Sequence, residues 1–254
     1  MARLSVVFWF IFLALFSGVT PVLAHGTQQE LDRLIAALGQ EDPRVRARAV
    51  EALAKWGRTA TPALLRALRN GDGRVRASAA QAVGLIRDPA ALSGLRTALR
   101  DRETDVRVNA AHALVMMNRP EVLRVLRHAL SDPAAEVRFQ AVLGWARMGG
   151  ARAMPVLIRA LDDEAAMVRR LAARELGKRK NEKALALLIR TLQHDKDVWV
   201  REAAAQALGE LGDRAALPAL QAVLSDEHEV GLVREAAMQA MQKLHKRSTV
   251  KSRS

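Results

Sequence analysis

The chain has no cysteine and no tyrosine. The first absence excludes disulfides, thiolate metal sites and a cysteine nucleophile together, so stability must come from packing alone. Aromatic residues make up only 4% of the sequence, and past residue 24 they reduce to Phe139, Trp56, Trp145 and Trp199. So few rings leave little for stacking on flipped or single-stranded bases. Acidic residues are also in deficit, 27 against 40 Lys and Arg, for a formal net charge of +13. A basic surface of this size favours acidic proteins, anionic polymers, nucleic acid or lipid head groups without choosing among them.

Residues 1–24 have the pattern of a secretory signal. Arg3 supplies the positive start, Leu4 to Phe16 is almost unbroken apolar sequence, and Val22-Leu23-Ala24 resembles a small-residue cleavage site. The apolar run from Leu4 to Val19 is 16 residues long and is followed by Pro21. A membrane-spanning helix needs roughly 20 such residues, so a cleaved signal is expected rather than a retained anchor. No cysteine stands near the site to carry a lipid. Export to a bacterial periplasm follows as the expected location, and loss of Arg3 lowers the charge from +13 to +12. Lys243, Lys246, Arg247, Lys251 and Arg253 place five of those charges near the end, where residues 246–254 read as a basic flexible tail.

What the chain does contain is a repeat. Val-Arg occurs at Val45, Val75, Val106, Val137, Val168, Val200 and Val233, with spacings of 30, 31, 31, 31, 32 and 33 residues. A period near 31 residues marks an array of supersecondary units. An anchor leucine precedes each pair: Leu38, Leu68, Leu99, Leu130, Leu161, Leu192 and Leu224. The Leu-to-Val distance grows from seven to eight and then nine in the last two units, which places the extra residues in a loop. Each unit opens with a helix such as Thr61 to Leu68, with Pro62, Pro155 and Pro218 near the start, where a missing N–H costs nothing. A polar turn such as Ser131-Asp132-Pro133 leads to a second helix such as Val200 to Gly209. Gly57, Gly149 and Gly212 are suited to ending these second helices. One hairpin cannot bury both faces of its helices, so neighbours must stack into a continuous core. The repeats are expected at about 28–57, 58–87, 88–118, 119–149, 150–180, 181–212 and 213–245, within one domain over residues 25–245.

Leu-x-Asp, a short turn and then Val-Arg-x-x-Ala-Ala-x-Ala-Leu-Gly resembles the HEAT repeat, in the short form of bacterial phycobilin-lyase-like proteins. The resemblance covers nearly all of the chain after residue 24. It implies an all-α, right-handed solenoid of seven helical hairpins, with an Asp–Arg ladder between stacked repeats and the second helices lining the concave side. It does not select a function, because that superfamily includes scaffolds, chromophore lyases, hydroxylases and DNA glycosylases.

The recurring arginines are expected to serve the stack, pairing with turn carbonyls or with Asp101, Asp132, Asp163 and Asp226, each two residues after an anchor leucine. Specificity is expected instead in the columns that vary. With about 100° per residue, positions four, seven and eight after each Val share its buried side; positions one before and two, three and six after form the opposite face. In the first two repeats that face is mostly polar: Arg44, Ala47, Arg48, Glu51, Arg74, Ala77, Ser78 and Gln81. Later it gains Val108, His112, Phe139, Leu143, Met167, Arg170, Leu171, Arg174, Trp199 and Leu232, a mixture of large apolar groups and arginine resembling an interface core. These ten are the candidate partner-binding residues. The competing expectation is that a neighbouring repeat buries several of them.

No catalytic, cofactor-binding or metal-binding residue is expected. The six histidines share no ligand spacing, and only His228-Glu229 forms a His-Glu pair, whereas hydroxylases of the deoxyhypusine type carry several. The expected function is therefore non-enzymatic: an exported scaffold or adaptor holding a protein or peptide in its concave groove. The main alternative is a basic binder of an anionic polymer or envelope surface. A nucleic-acid partner is disfavoured by export and by the scarcity of rings, and a lyase-like activity by the same scarcity.

Overall fold

A computed structural model describes residues 27–251, and among these the secondary structure is entirely helical. The signal segment 1–24 lies outside the described residues. Seven hairpins follow one another: α1 (Gln28–Ala37) with α2 (Pro43–Trp56), α3 (Thr61–Asn70) with α4 (Gly73–Ile86), and α5 (Leu92–Ala98) with α6 (Thr104–Met117). Then come α7 (Val122–Ala129) with α8 (Ala135–Met148), α9 (Met154–Ala160) with α10 (Ala166–Lys178), α11 (Leu185–His194) with α12 (Val198–Leu211), and α13 (Leu217–Ser225) with α14 (Gly231–Lys251). Odd-numbered helices are thus the first of each pair and even-numbered helices the second. The last helix, α14, continues through residue 246 to Lys251, into the segment expected as a basic tail. The sequence from Leu232 to Lys251 offers neither Pro nor Gly to stop it, and its Lys, Arg, Gln and Met residues favour helix.

Local chemistry sets the helix ends. Asp42, Asp72 and Asp197 accept backbone N–H bonds at the starts of α2, α4 and α12, satisfying donors that the first turn leaves unpaired. Gly57 and Gly212 end α2 and α12 at φ of 62° and 83°, a region in which a side chain is strained. At the end of α8 the left-handed residue is Gly150 rather than Gly149.

Packing then joins the hairpins. Leu64, Leu95, Leu126, Leu157, Leu188 and Leu220, each four residues before an anchor leucine, are completely buried. Burial of each side chain is worth roughly 1.5–3 kcal/mol. At three of their interfaces the second helices approach one another backbone to backbone. A Cβ built on Gly84 would lie 2.8 Å from the Ala113 Cα, one on Gly177 2.5 Å from the Ala207 Cα, and one on Gly209 2.8 Å from the Ala240 Cα. These are one pairing repeated, the ninth residue after one Val against the seventh after the next. The first helices meet far less extensively and through branched side chains, as where Gly94 of α5 faces Leu65 of α3. The closer-packed layer is the inside of the curve, so the even-numbered helices form the concave side of the solenoid.

Buried apolar residues form two clusters rather than one. The first runs from Leu31 to Trp145 and the second from Val142 to Leu244, so the division falls on α8. No described helix is long and apolar enough to cross a membrane.

Candidate functional site

Five of the seven recurring arginines, from Arg76 to Arg201, form a ladder with the acids of the following repeat, while Arg46 donates only to the Gln40 and Glu41 carbonyls of its own turn. Arg76 meets Asp101 through Nε at 2.6 Å and Nη2 at 2.9 Å, and Arg138 meets Asp163 through the same two nitrogens at 2.8 Å each. Arg107 with Asp132 and Arg169 with Asp195 repeat this bidentate geometry. The third nitrogen serves the arginine's own turn: Nη1 of Arg138 donates to the Asp132 and Pro133 carbonyls at 2.8 and 3.0 Å. Each acid also accepts a backbone N–H, as Asp163 does from Ala165 at 2.9 Å. One rung therefore closes a turn, fastens it to the next and caps the loop beyond. The hydrogen bonds from Arg76 hold Asp101 below the usual carboxylate range against the opposing effect of burial. At Asp163 and Asp195 burial is the largest influence and pushes upward, but the Arg138 and Arg169 hydrogen bonds together with backbone donors leave both carboxyls lowered.

Two rungs differ from the sequence expectation. Arg201 pairs with Glu229 at 2.8 and 2.7 Å, so Asp226, which caps His228 instead, is not the acceptor. Asp195 takes the rung of the sixth repeat and does not stand two residues after Leu192. The reason is the lengthened loop. Counted back from Val, Asp101, Asp132, Asp163 and Asp195 all stand at position minus five, and the longer Glu229 reaches the rung from minus four. The register is kept from the helix that carries the arginine, not from the leucine before the loop.

The ten candidate residues divide into two groups. Val108 and Leu143 are half-buried against the first apolar cluster, Phe139 and Leu171 against the second, and Leu232 is half-buried as well. The third column after Val turns inward more generally: Ser78, Ala203 and Ala236 are buried there. His112 and Arg174 are exposed. Met167 and Trp199, the same column in α10 and α12, stay 40% and 50% exposed. The guanidinium of Arg170 lies 5.3 Å from the centre of the Trp199 ring and 3.9 Å from a Glu202 carboxylate oxygen. Glu202 is itself buried and accepts from Gln206, while the Arg170 Nε is buried with no acceptor. Arg170 is thus held by a ring contact and a long ion pair, leaving part of its hydrogen-bonding capacity unused. Further towards the start of the array, the same inner face is polar, an open cleft of about 450 Å³ lined by Arg74, Ser78, Gln81, Asp105 and Asn109 among others. Among the described residues no three His, Asp or Glu side chains gather as a metal site.

Comparison with known proteins agrees with this geometry. HEAT repeats match over residues 31–107, 93–171 and 154–242. No curated protein matches the chain in sequence. Among solved structures, YibA of E. coli is similar at 22% identity and a TM-score of 0.62, over 87% of this chain and 83% of its own. Kap121p bound to Nup53p gives 16% identity and a TM-score of 0.63, over 87% of this chain and 30% of that one. The S. pombe condensin Cnd3–Cnd2 subcomplex gives 19% and 0.59, over 87% and 33%. At these identities the likeness concerns the fold, and the three successive matches across the array establish that the chain belongs to the HEAT-repeat family.

Proposed function

We propose that this chain is an exported HEAT-repeat scaffold, without an activity of its own, that binds a protein or peptide partner in its concave groove. The observation that carries this is Trp199, half-exposed on the inner helix layer with Arg170 against its face and Met167 in the same column of the preceding repeat. An exposed tryptophan beside arginine has the composition of an interface anchor, where one aromatic residue supplies a large share of the binding energy. A carboxylate or carbonyl of the partner entering beside the ring would give Arg170 a closer acceptor than Glu202 at 3.9 Å. Kap121p and the condensin subunits, similar in fold, were solved in complexes with protein partners, which supports this class of function.

The test is capture from the envelope fraction by the immobilised full chain, at low and high salt, with Trp199→Ala as the comparison. Helicity should be unchanged while capture falls at least about tenfold, as for a hot-spot residue. Equal capture by both would refute the groove. Phe139→Ala is a poorer probe, since its ring packs on the second cluster and its loss costs stability too. N-terminal sequencing of the protein recovered from cells tests export: a start at His25 is expected, and a chain retaining Arg3 in the cytosol would remove that part of the proposal.

A further inference from the structure

The outer helix layer has a composition that the groove does not use. Helices α3, α5, α7, α9, α11 and α13 contain no acidic residue. Their polar side is instead arginine: Arg66 and Arg69 on α3, Arg96 on α5 with Arg100 just past its end, and Arg124 and Arg127 on α7. All six are exposed, and among the described residues none of them forms an ion pair. Measured from the anchor leucine at about 100° per residue, they stand at roughly 60–160°, one face of each helix.

Helix electrostatics explains only half of this. A cation in the last turn is favoured by the helix dipole, and Arg69, Arg96 and Arg127 stand there. The same dipole favours an acid at the helix start, and Glu121 stands at that of α7 and Asp88 at the turn leading into α5, yet within the helices themselves the first turns lack one. A face selected merely for solubility and helix stability would mix signs. This one repeats a single sign across three consecutive hairpins. Between α5 and α7 it also folds inward, forming an open cleft of about 230 Å³ lined by Arg96, Arg100 and His128 with the Ser131 residue at its edge. The one carboxylate there, Asp132, is already bound by Arg107 at 2.9 Å and caps Ala134.

We infer that the convex face of α3, α5 and α7 is a docking surface for a linear phosphate-bearing polymer, with the cleft between α5 and α7 seating one of its phosphates. The occupant follows from shape and from what the face omits. It is the outer side of the curve, which a plane touches only at its crest and a flexible chain can follow. None of the exposed large apolar residues, Val45, Leu85, Met167, Trp199, Val230 and Met238, lies on these first helices. There is therefore no wedge for an acyl layer and no ring for a base. Recognition through charge and forked guanidinium hydrogen bonds is what remains.

Long-chain polyphosphate is the probe, titrated into the full chain across a range of salt. Arg96→Gln, Arg100→Gln and Arg127→Gln together should lower affinity at least about tenfold and flatten the dependence of log K on log salt by about 2, as expected for three lost phosphate contacts. Removing the same charge from the groove, with Arg44→Gln, Arg48→Gln and Arg174→Gln, should change affinity less than about threefold. Equal losses in the two triple variants would mean diffuse attraction to net charge and would overturn the assignment, as would binding to phosphatidylglycerol vesicles or an acidic protein but not to polyphosphate. If the outer variant does not fold, hydrogen exchange of the wild-type chain decides. Polyphosphate should slow exchange in α3, α5 and α7, and slowing confined to α10 and α12 would count against the proposal.

Discussion

Each guanidinium of the ladder is mostly sequestered from water, with side-chain exposures of 13% for Arg138 and 13% for Asp163 in the third rung. Truncating one partner strands the other. Arg138→Ala should therefore cost about 3 kcal/mol, the scale for an ion pair broken inside a fold, and leave capture of a groove partner intact once temperature is lowered enough to keep the chain folded. Chemical denaturation with a capture assay checks this; an unchanged midpoint with lost capture would reassign Arg138 to binding. The acids add a pH dependence. Asp101, Asp163, Asp195 and Glu229 all titrate below their ordinary values, so the unfolded chain takes up their protons first. Their stabilisation is complete above the unfolded carboxylate range, near pH 4, and disappears as pH falls through the lower folded values. Thermal stability should be flat between about pH 5 and 7 and drop steeply below about pH 4, and the drop should shrink in Arg138→Ala. The ladder's existence could be foreseen from the Val-Arg period. Its last two acceptors, Asp195 and Glu229, needed the loop geometry, because residues inserted after Leu192 and Leu224 shift every count that starts from leucine.

Between elements, the decisive fact is that second helices touch backbone to backbone at three interfaces, α10 with α12 among them, while Gly94 of α5 meets only a side chain. This makes two glycines behave in opposite ways. A Cβ on Gly177 would lie 2.5 Å from the Ala207 Cα and 2.9 Å from its carbonyl oxygen, atoms that cannot move without displacing α12. Gly177→Ala should destabilise by about 2 kcal/mol, the overpacking cost exceeding the gain of nearly 1 kcal/mol in helix propensity. A Cβ on Gly94 would meet the Leu65 Cδ2 at 2.5 Å, the free end of a side chain that can change rotamer. Gly94→Ala should be neutral to within about 0.5 kcal/mol. Paired denaturation curves separate the two; equal costs would mean that the inner layer is not the tighter one. Stacking explains why the inner face was only partly legible. A helical wheel treats each helix as alone and places Val108, Phe139, Leu143 and Leu171 on the open side. Packing against the apolar clusters of the stack half-buries them, while Met167 and Trp199, at the first residues of their helices, stay exposed. The outer arginines were legible residue by residue, but nothing in a single sequence shows that odd-numbered helices share a surface until the stack is built.

At the scale of the molecule, the array is not uniform along its length. The tight glycine–alanine contact joins α4 to α6, α10 to α12 and α12 to α14; the equivalent positions are Ala54 and Ala82 between α2 and α4, Val115 and Gly144 between α6 and α8, and Ala146 and Glu175 between α8 and α10. There the apolar clusters divide, and an open cleft of about 800 Å³ lies alongside, lined by Pro133, Val142, Pro155 and Val156 among others. Arg179 bridges this junction, donating from the end of α10 to the Gly150 carbonyl at 2.9 Å and to the Ala146 carbonyl, while its Nε is buried without an acceptor. In a linear array, stability is the sum of unit terms and nearest-neighbour interfaces, so the weakest interface is where cooperativity fails. Arg179→Ala removes two charge-assisted hydrogen bonds, each worth about 1.5–3 kcal/mol, from that interface and from no other. Hydrogen exchange in rising urea should then show hairpins one to four and five to seven opening at separate midpoints, with the wild-type midpoints closer together. A single transition common to both halves in Arg179→Ala would show that the ladder rung from Arg138 to Asp163, which crosses the same junction, is sufficient to couple them.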